Sequence, residues 1–159
     1  MYAVAFAHAD PASEMPAIVL TLGGKLRAQS VRGERWIEAA DFFVGALTTA
    51  LAADEMLMEL ELPVAQPRSG ACFMELARRR GDFAIVGVAT MLALDASGRI
   101  AHAGVALSGV AGTPVRAADA EAVLIGETPS AELWQQAAAQ AAAGLDPPDD
   151  LHGTAAYRR

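Results

Sequence analysis

A chain of 159 residues suits one domain, or two small ones sharing an interface. With 53% hydrophobic and 19% charged residues it describes a globular protein with a sizeable core, which argues against disorder. Its net charge of -7 argues against nucleic acid and anionic membrane as partners, because both require a basic footprint.

Asp10-Pro11 followed by Ser13-Glu14 starts a helix. With Ser13 as N-cap, Pro16 falls in the first turn, where its missing N–H costs nothing. Residues 17–22 continue that helix to a stop at Gly23-Gly24. Residues 25–31 and 35–38 read as a hairpin around Arg32-Gly33-Glu34, and residues 41–45 and 49–54 as short helical pieces. Residues 57–62 alternate Leu57, Glu59 and Glu61 against Met58, Leu60 and Leu62, the pattern of a half-buried strand. Residues 63–70, rich in Pro, Gly and polar residues, are the best boundary between two domains.

Beyond that boundary, residues 71–77 read as a strand and residues 85–94, apolar on both faces, as a buried one. Asp95-Ala96-Ser97-Gly98 is a type I turn, and residues 99–107 complete the hairpin. Residues 117–125 form a helix stopped by Gly126. A second helix starts at Thr128-Pro129-Ser130 and runs to about residue 143, with Leu133, Ala137, Ala141 and Leu145 on one stripe. Residues 151–159 open a third helix. Strands and helices segregated in this way predict an α+β fold whose second half is a three-stranded antiparallel sheet with helices.

No apolar run approaches the roughly 18–20 residues that span a bilayer, and the first residues lack the basic segment of a signal peptide. The single Cys72 excludes an intrachain disulfide and a thiolate metal cluster, so a cytoplasmic location fits best. Cys72 sits mid-strand in apolar company and reads as core; Trp36 and Trp134 read as anchors of two cores.

His8, Asp10 and Glu14 cluster at the first helix start. Backbone N–H groups there suit an anion or a polar ring edge, and carboxylates accept from N–H and hydroxyl groups. The same residues serve equally well as a cap and a dipole complement, and both readings stand at this point. A metal set of His8, Asp10 and Glu14 finds no further ligand, since His102 and His152 have no partners at ligand spacing. Arg78-Arg79-Arg80-Gly81-Asp82 is the only basic cluster. It either clamps a phosphate or partner carboxylate, or is solvated with one arginine paired to Asp82. The glycine-bearing loop at residues 109–114 lacks the Lys-Ser/Thr of a P-loop and reads as a turn.

Taken in order, several segments resemble the FAD-binding (medium) subunit of molybdenum hydroxylases, the carbon monoxide dehydrogenase and xanthine dehydrogenase flavoprotein family. They are Ala7-His8-Ala9-Asp10-Pro11, Arg35-Trp36-Ile37-Glu38-Ala39, Arg78-Arg79-x-Gly81-Asp82-Phe83-Ala84, Ala106-Leu107-Ser108-Gly109-Val110 and Tyr157-Arg158-Arg159. The resemblance covers nearly the whole chain. It implies residues 1–63 as the C-terminal part of a FAD-binding domain and residues 70–159 as the flavoprotein C-terminal domain. It further implies FAD as cofactor, with His8, Asp10 and Glu14 at the flavin, Leu57 packed near its ring system, and Met74 in a segment beside the flavin and the partner interface. Its implied partners are an iron–sulfur subunit and a molybdopterin subunit, and its implied role is passing electrons between the clusters and an acceptor. The alternative is a flavin-free docking module. In the family two glycine-rich loops hold the FAD diphosphate. The first belongs to an N-terminal subdomain with no counterpart here, and the second aligns with Ala3-Val4-Ala5, so this chain alone is expected to bind FAD weakly or not at all.

Overall fold

The computed structural model describes residues 2–79 and 81–159, with side chains from residue 5 onward; Arg80, the third arginine of the basic cluster, lies outside the described residues. Helix α1 (Tyr2–His8) leads through a turn into α2 (Glu14–Leu22). Pro16 occupies the first turn of α2, as its missing N–H requires. Gly23 ends the helix in the left-handed region at φ 66°, with Gly23 N–H donating to Leu20 O and Gly24 N–H to Val19 O.

The chain then forms an antiparallel sheet ordered β2-β1-β5, from β1 (Lys25–Ser30), β2 (Gly33–Glu38) and β5 (Met56–Glu61). Between β2 and β5 lie a one-turn helix α3 (Ala39–Phe42) and a small hairpin of β3 (Phe43–Gly45) and β4 (Thr48–Thr49). This corrects the helical expectation for residues 41–45 and 49–54: the helix ends at Phe42, and Phe43 and Thr49 pair as strands. The alternation expected along β5 also fails midway. Arg27 pairs with Glu59 but Ala28 pairs with Leu57, so Met58 is the extra residue of a bulge. Leu57 and Leu60 therefore both pack on the core, while Met58 is exposed.

The second sheet is antiparallel, ordered β6-β7-β8-β9: β6 (Ser69–Leu76), β7 (Val86–Leu94), β8 (Ile100–Ser108) and a two-residue β9 (Val115–Arg116). The three long strands are those expected; β9 adds a short fourth that the sequence pattern is too brief to reveal. Asp95 closes the β7–β8 turn by accepting from the Ser97 and Arg99 N–H groups, with Gly98 at φ 86°. One sheet face carries α4 (Ala118–Leu124) and α5 (Ala131–Ala143); Leu133 and Ala137 of α5, with Leu145 just after it, pack with Ile100, Val105 and Leu107. Ser130 caps α5 by accepting from Leu133 N–H. The chain closes in α6 (Ala155–Arg158).

The opposite face receives α2. Ala17, Val19 and Leu20 share one core with Leu26, Phe42, Ala89 and Ala106, which joins the first sheet to the second. β7 thus has neighbours on both faces, which explains why apolar residues dominate each of them. The α+β architecture expected from segregated strands and helices is observed.

Three core assignments need correction. Trp36 is 41% exposed because Ile37, its neighbour on β2, takes the inward position; the indole lies instead under Lys25 Nζ, 4.9 Å from its centroid. Trp134 is also half exposed, at the rim of a cavity. Cys72 lies on the edge strand β6 and is exposed, since Phe73 takes the core-facing position.

Candidate flavin-facing turn

The turn between α1 and α2 is held from three directions. Within it, Asp10 Oδ1 accepts from Ala12 N–H at 2.9 Å and Asp10 O accepts from Ser13 N–H at 3.0 Å, the geometry of an Asx turn. Ala9, in the left-handed region at φ 48°, presents its carbonyl to Leu47 N–H of the β3–β4 hairpin. Pro11 O accepts from Gly109 N–H at 2.8 Å, which ties the turn to the end of β8. Asp10 thereby satisfies part of the capping reading. Ser13 does not cap, since its hydroxyl makes no capping hydrogen bond, and the first amides of α2 have no side-chain acceptor.

Gly109 is a junction. It sits at φ 76°, and a Cβ there would overlap the Ile85 carbonyl oxygen. Its own carbonyl accepts from Arg158 Nη1 at 2.8 Å, and the same nitrogen donates to Ile85 O. Arg158 Nη2 forms a bidentate pair with Asp150, at 2.6 Å to each oxygen. The His152 backbone N–H and, after it, the Arg158 guanidinium hold the Asp150 carboxyl below its ordinary range. The loop that reads as a plain turn in the sequence is therefore what brings the first motif against the second.

The residues singled out from the sequence are placed unequally. His8 and Glu14 are exposed at either end of the turn, and Asp10 between them is half-buried. Leu57 is half-buried on β5, in the other strand system, packed on the core shared with α2. Met74 is 72% exposed on β6, with Val88 as its cross-strand partner. The turn thus unites His8, Asp10 and Glu14, while Leu57 and Met74 stand on separate sheets. Arg78 Nη2 donates to Leu151 O, and Asp82 Oδ1 accepts from Phe83 N–H rather than from an arginine among the described residues. The signal missed in the sequence is the pairing of Gly109 with Arg158, residues 49 positions apart.

Two concavities lie elsewhere. The larger, about 500 Å³, is apolar and runs between β7 and α5, from Val88 and Leu92 to Trp134 and Ala141, with Arg158 and Arg159 at its end. The smaller, about 160 Å³, lies between α2 and β6. Neither is lined by His8, Asp10, Glu14, Leu57 or Met74.

The turn fits one part of an FAD. Two carboxylates and the uncapped α2 amides match the hydrogen-bonding edge of a flavin or its ribityl chain. The diphosphate is not matched: residues 3–5, where the family resemblance implies a glycine loop, lie within helix α1.

Residues 5–65 match the family described as the FAD binding domain in molybdopterin dehydrogenase, and residues 71–159 the CO dehydrogenase flavoprotein C-terminal domain. The chain belongs to the FAD-binding medium-subunit family of the molybdenum hydroxylases. FAD is the cofactor of that flavoprotein family. The nicotine 6-hydroxylase medium subunit of Paenarthrobacter nicotinovorans is 42% identical over 152 residues, covering 96% of this chain and 53% of that one. The carbon monoxide dehydrogenase medium chain of Afipia carboxidovorans is 33% identical, covering 96% and 52%. Among solved structures, carbon monoxide dehydrogenase from Hydrogenophaga pseudoflava superimposes with a TM-score of 0.91 at 34% identity, over 96% of this chain and 53% of that chain. This medium-subunit homologue thus spans about half the length of the relatives it matches, several of which are subunits of larger complexes. Among the described residues no helix is long and apolar enough to cross a membrane.

Proposed function

We propose that this chain is part of a FAD-binding electron-transfer subunit, in which the turn from His8 to Glu14 forms the wall at the polar edge of the flavin. Bound FAD would supply redox chemistry between the iron–sulfur clusters of one partner subunit and an electron acceptor, with molybdopterin chemistry on a further subunit. The chain's own residues orient the cofactor. Asp10 and Glu14 accept from flavin N–H or ribityl hydroxyls, the α2 amides donate, Leu57 supplies an apolar contact, and Met74 lies on the partner-facing edge. Residues 1–63 form the C-terminal part of the FAD-binding domain, and residues 70–159 the flavoprotein C-terminal domain; the complex operates in the cytoplasm.

The observation that carries this reading is the uncapped start of α2 beside Asp10 and Glu14, in a turn held to both halves of the chain. Loss of two charge-assisted bonds to the diphosphate, at roughly 1.5–3 kcal/mol each, weakens affinity by about 10²–10⁴-fold. Titration of the purified chain with FAD, followed by flavin fluorescence, is expected to give weak saturable quenching that disappears in Asp10→Ala/Glu14→Ala. Quenching indifferent to both substitutions would refute the assignment. An absence of quenching up to millimolar FAD would favour the flavin-free docking module.

A further inference from the structure

We propose that Arg158 is a positioning residue for the turn between α1 and α2, acting through the Gly109 peptide; the proposal rests on the reading of that turn as flavin-facing. Arg158 stands at the end of a four-residue helix, and its side chain is 4% exposed. Burying a guanidinium costs several kcal/mol unless its donors are matched, so an arginine whose only task is to dock a short helix is a poor choice beside an aliphatic residue. Here both terminal nitrogens are matched to specific acceptors, while the buried Nε–H has no partner among the described residues. One nitrogen spans the carbonyls of Ile85 and Gly109, and the other holds both oxygens of Asp150.

The loop before α6 is built to present this one group. Asp149 Oδ1 accepts from Ala155 N–H at 2.7 Å, and Thr154 Oγ1 accepts from Tyr157 N–H at 3.2 Å. Asp150 Oδ1 also accepts from the His152 and Gly153 N–H groups, which fixes the carboxylate before it meets Arg158.

What the guanidinium controls is the most permissive backbone in the region. Glycine at φ 76° has few steric limits, so its orientation depends on what its two polar groups bind. The Gly109 carbonyl is held by Arg158, and its N–H holds Pro11 O. Fixing the first restricts the second, and Pro11 adjoins Asp10, whose side chain orders the turn. A chain of contacts therefore runs from Asp150 through Arg158 and Gly109 to Pro11 and Asp10.

The test uses the full 159-residue chain and amide hydrogen exchange at Ala12, Ser13 and Gly109. Arg158→Met is compared with Leu145→Ala, which damages the same helical layer without touching the Gly109 carbonyl, and with Arg158→Lys. At matched distance from each variant's unfolding temperature, Arg158→Met is expected to exchange these amides at least about tenfold faster than Leu145→Ala, with Arg158→Lys recovering part of the protection. Equal exchange in Arg158→Met and Leu145→Ala would overturn the proposal. If Arg158→Met does not fold, Asp150→Asn must show the same localised loss, and its absence would overturn it as well. Flavin quenching in the same samples separates the two readings. Wild-type protein that ignores FAD defeats the cofactor assignment, while the exchange result still decides the role of Arg158.

Discussion

Gly104 on β8 lies directly beneath the carbonyl of Thr21 in α2, so close that a Cβ at position 104 would overlap that oxygen. The Thr21 hydroxyl, itself buried, donates to Ala89 O on the neighbouring strand at 3.3 Å. The last turn of α2 is thus seated on the second sheet by backbone proximity and one side-chain bond, while Val19 and Leu20 of the same helix pack on the core beside the first sheet. This contact makes the two family segments one structural unit. Gly104→Ala is expected to lower stability by about 1–3 kcal/mol, the usual cost of overpacking. Urea unfolding by far-UV circular dichroism measures it, and an unchanged midpoint would show that α2 sits less tightly than described.

Trp36 and Phe42 are expected to rank opposite to what their size suggests. Trp36 is 41% exposed and stacked under Lys25, so Trp36→Ala is expected to cost about 1 kcal/mol or less. Phe42 is fully buried between α2 and the first sheet, and Phe42→Ala is expected to cost about 3–5 kcal/mol. Comparing the two midpoints under one set of conditions checks the ranking.

Glu55 gives a pH dependence with a definite sign. Arg35 grips both its oxygens at 2.8 Å and Ala52 N–H donates to one of them, which pushes its carboxyl down to about 2 from an ordinary 4.5. A pKa lower in the folded state means the unfolded state binds the proton more readily. The contribution is therefore complete above about pH 4.5 and is lost as pH falls toward about 2. Glu55→Gln is expected to lower the unfolding temperature most above about pH 4.5 and to flatten its fall across that interval. A wild-type and variant pair with parallel curves from pH 5 to 2 would contradict the ion pair's role.

Most elements of this fold are legible in the sequence because their signals are local. Gly23 stops α2, Asp95 and Gly98 make the β7–β8 turn, and Ser130 caps α5, each by a residue acting on its immediate neighbours. What was not legible depends on partners far along the chain. The bulge at Met58 exists only because β5 pairs with β1, and it turns Leu57 inward against the simple alternation. Trp36 looks like a core residue until the register places Ile37 inside. At the candidate site the acids and the helix start could be read directly. The Pro11–Gly109–Arg158 linkage could not, because it joins residues whose local patterns each describe an ordinary turn or helix end.

Whether the turn carrying Asp10 and Glu14 faces the flavin is decided by mapping FAD onto the isotopically labelled chain through amide chemical-shift changes. Perturbations are expected at His8, Asp10, Glu14 and Met15, extending to Leu57 and Gly109. Changes confined to the apolar cavity between β7 and α5, around Val88, Trp134 and Ala141, would contradict it.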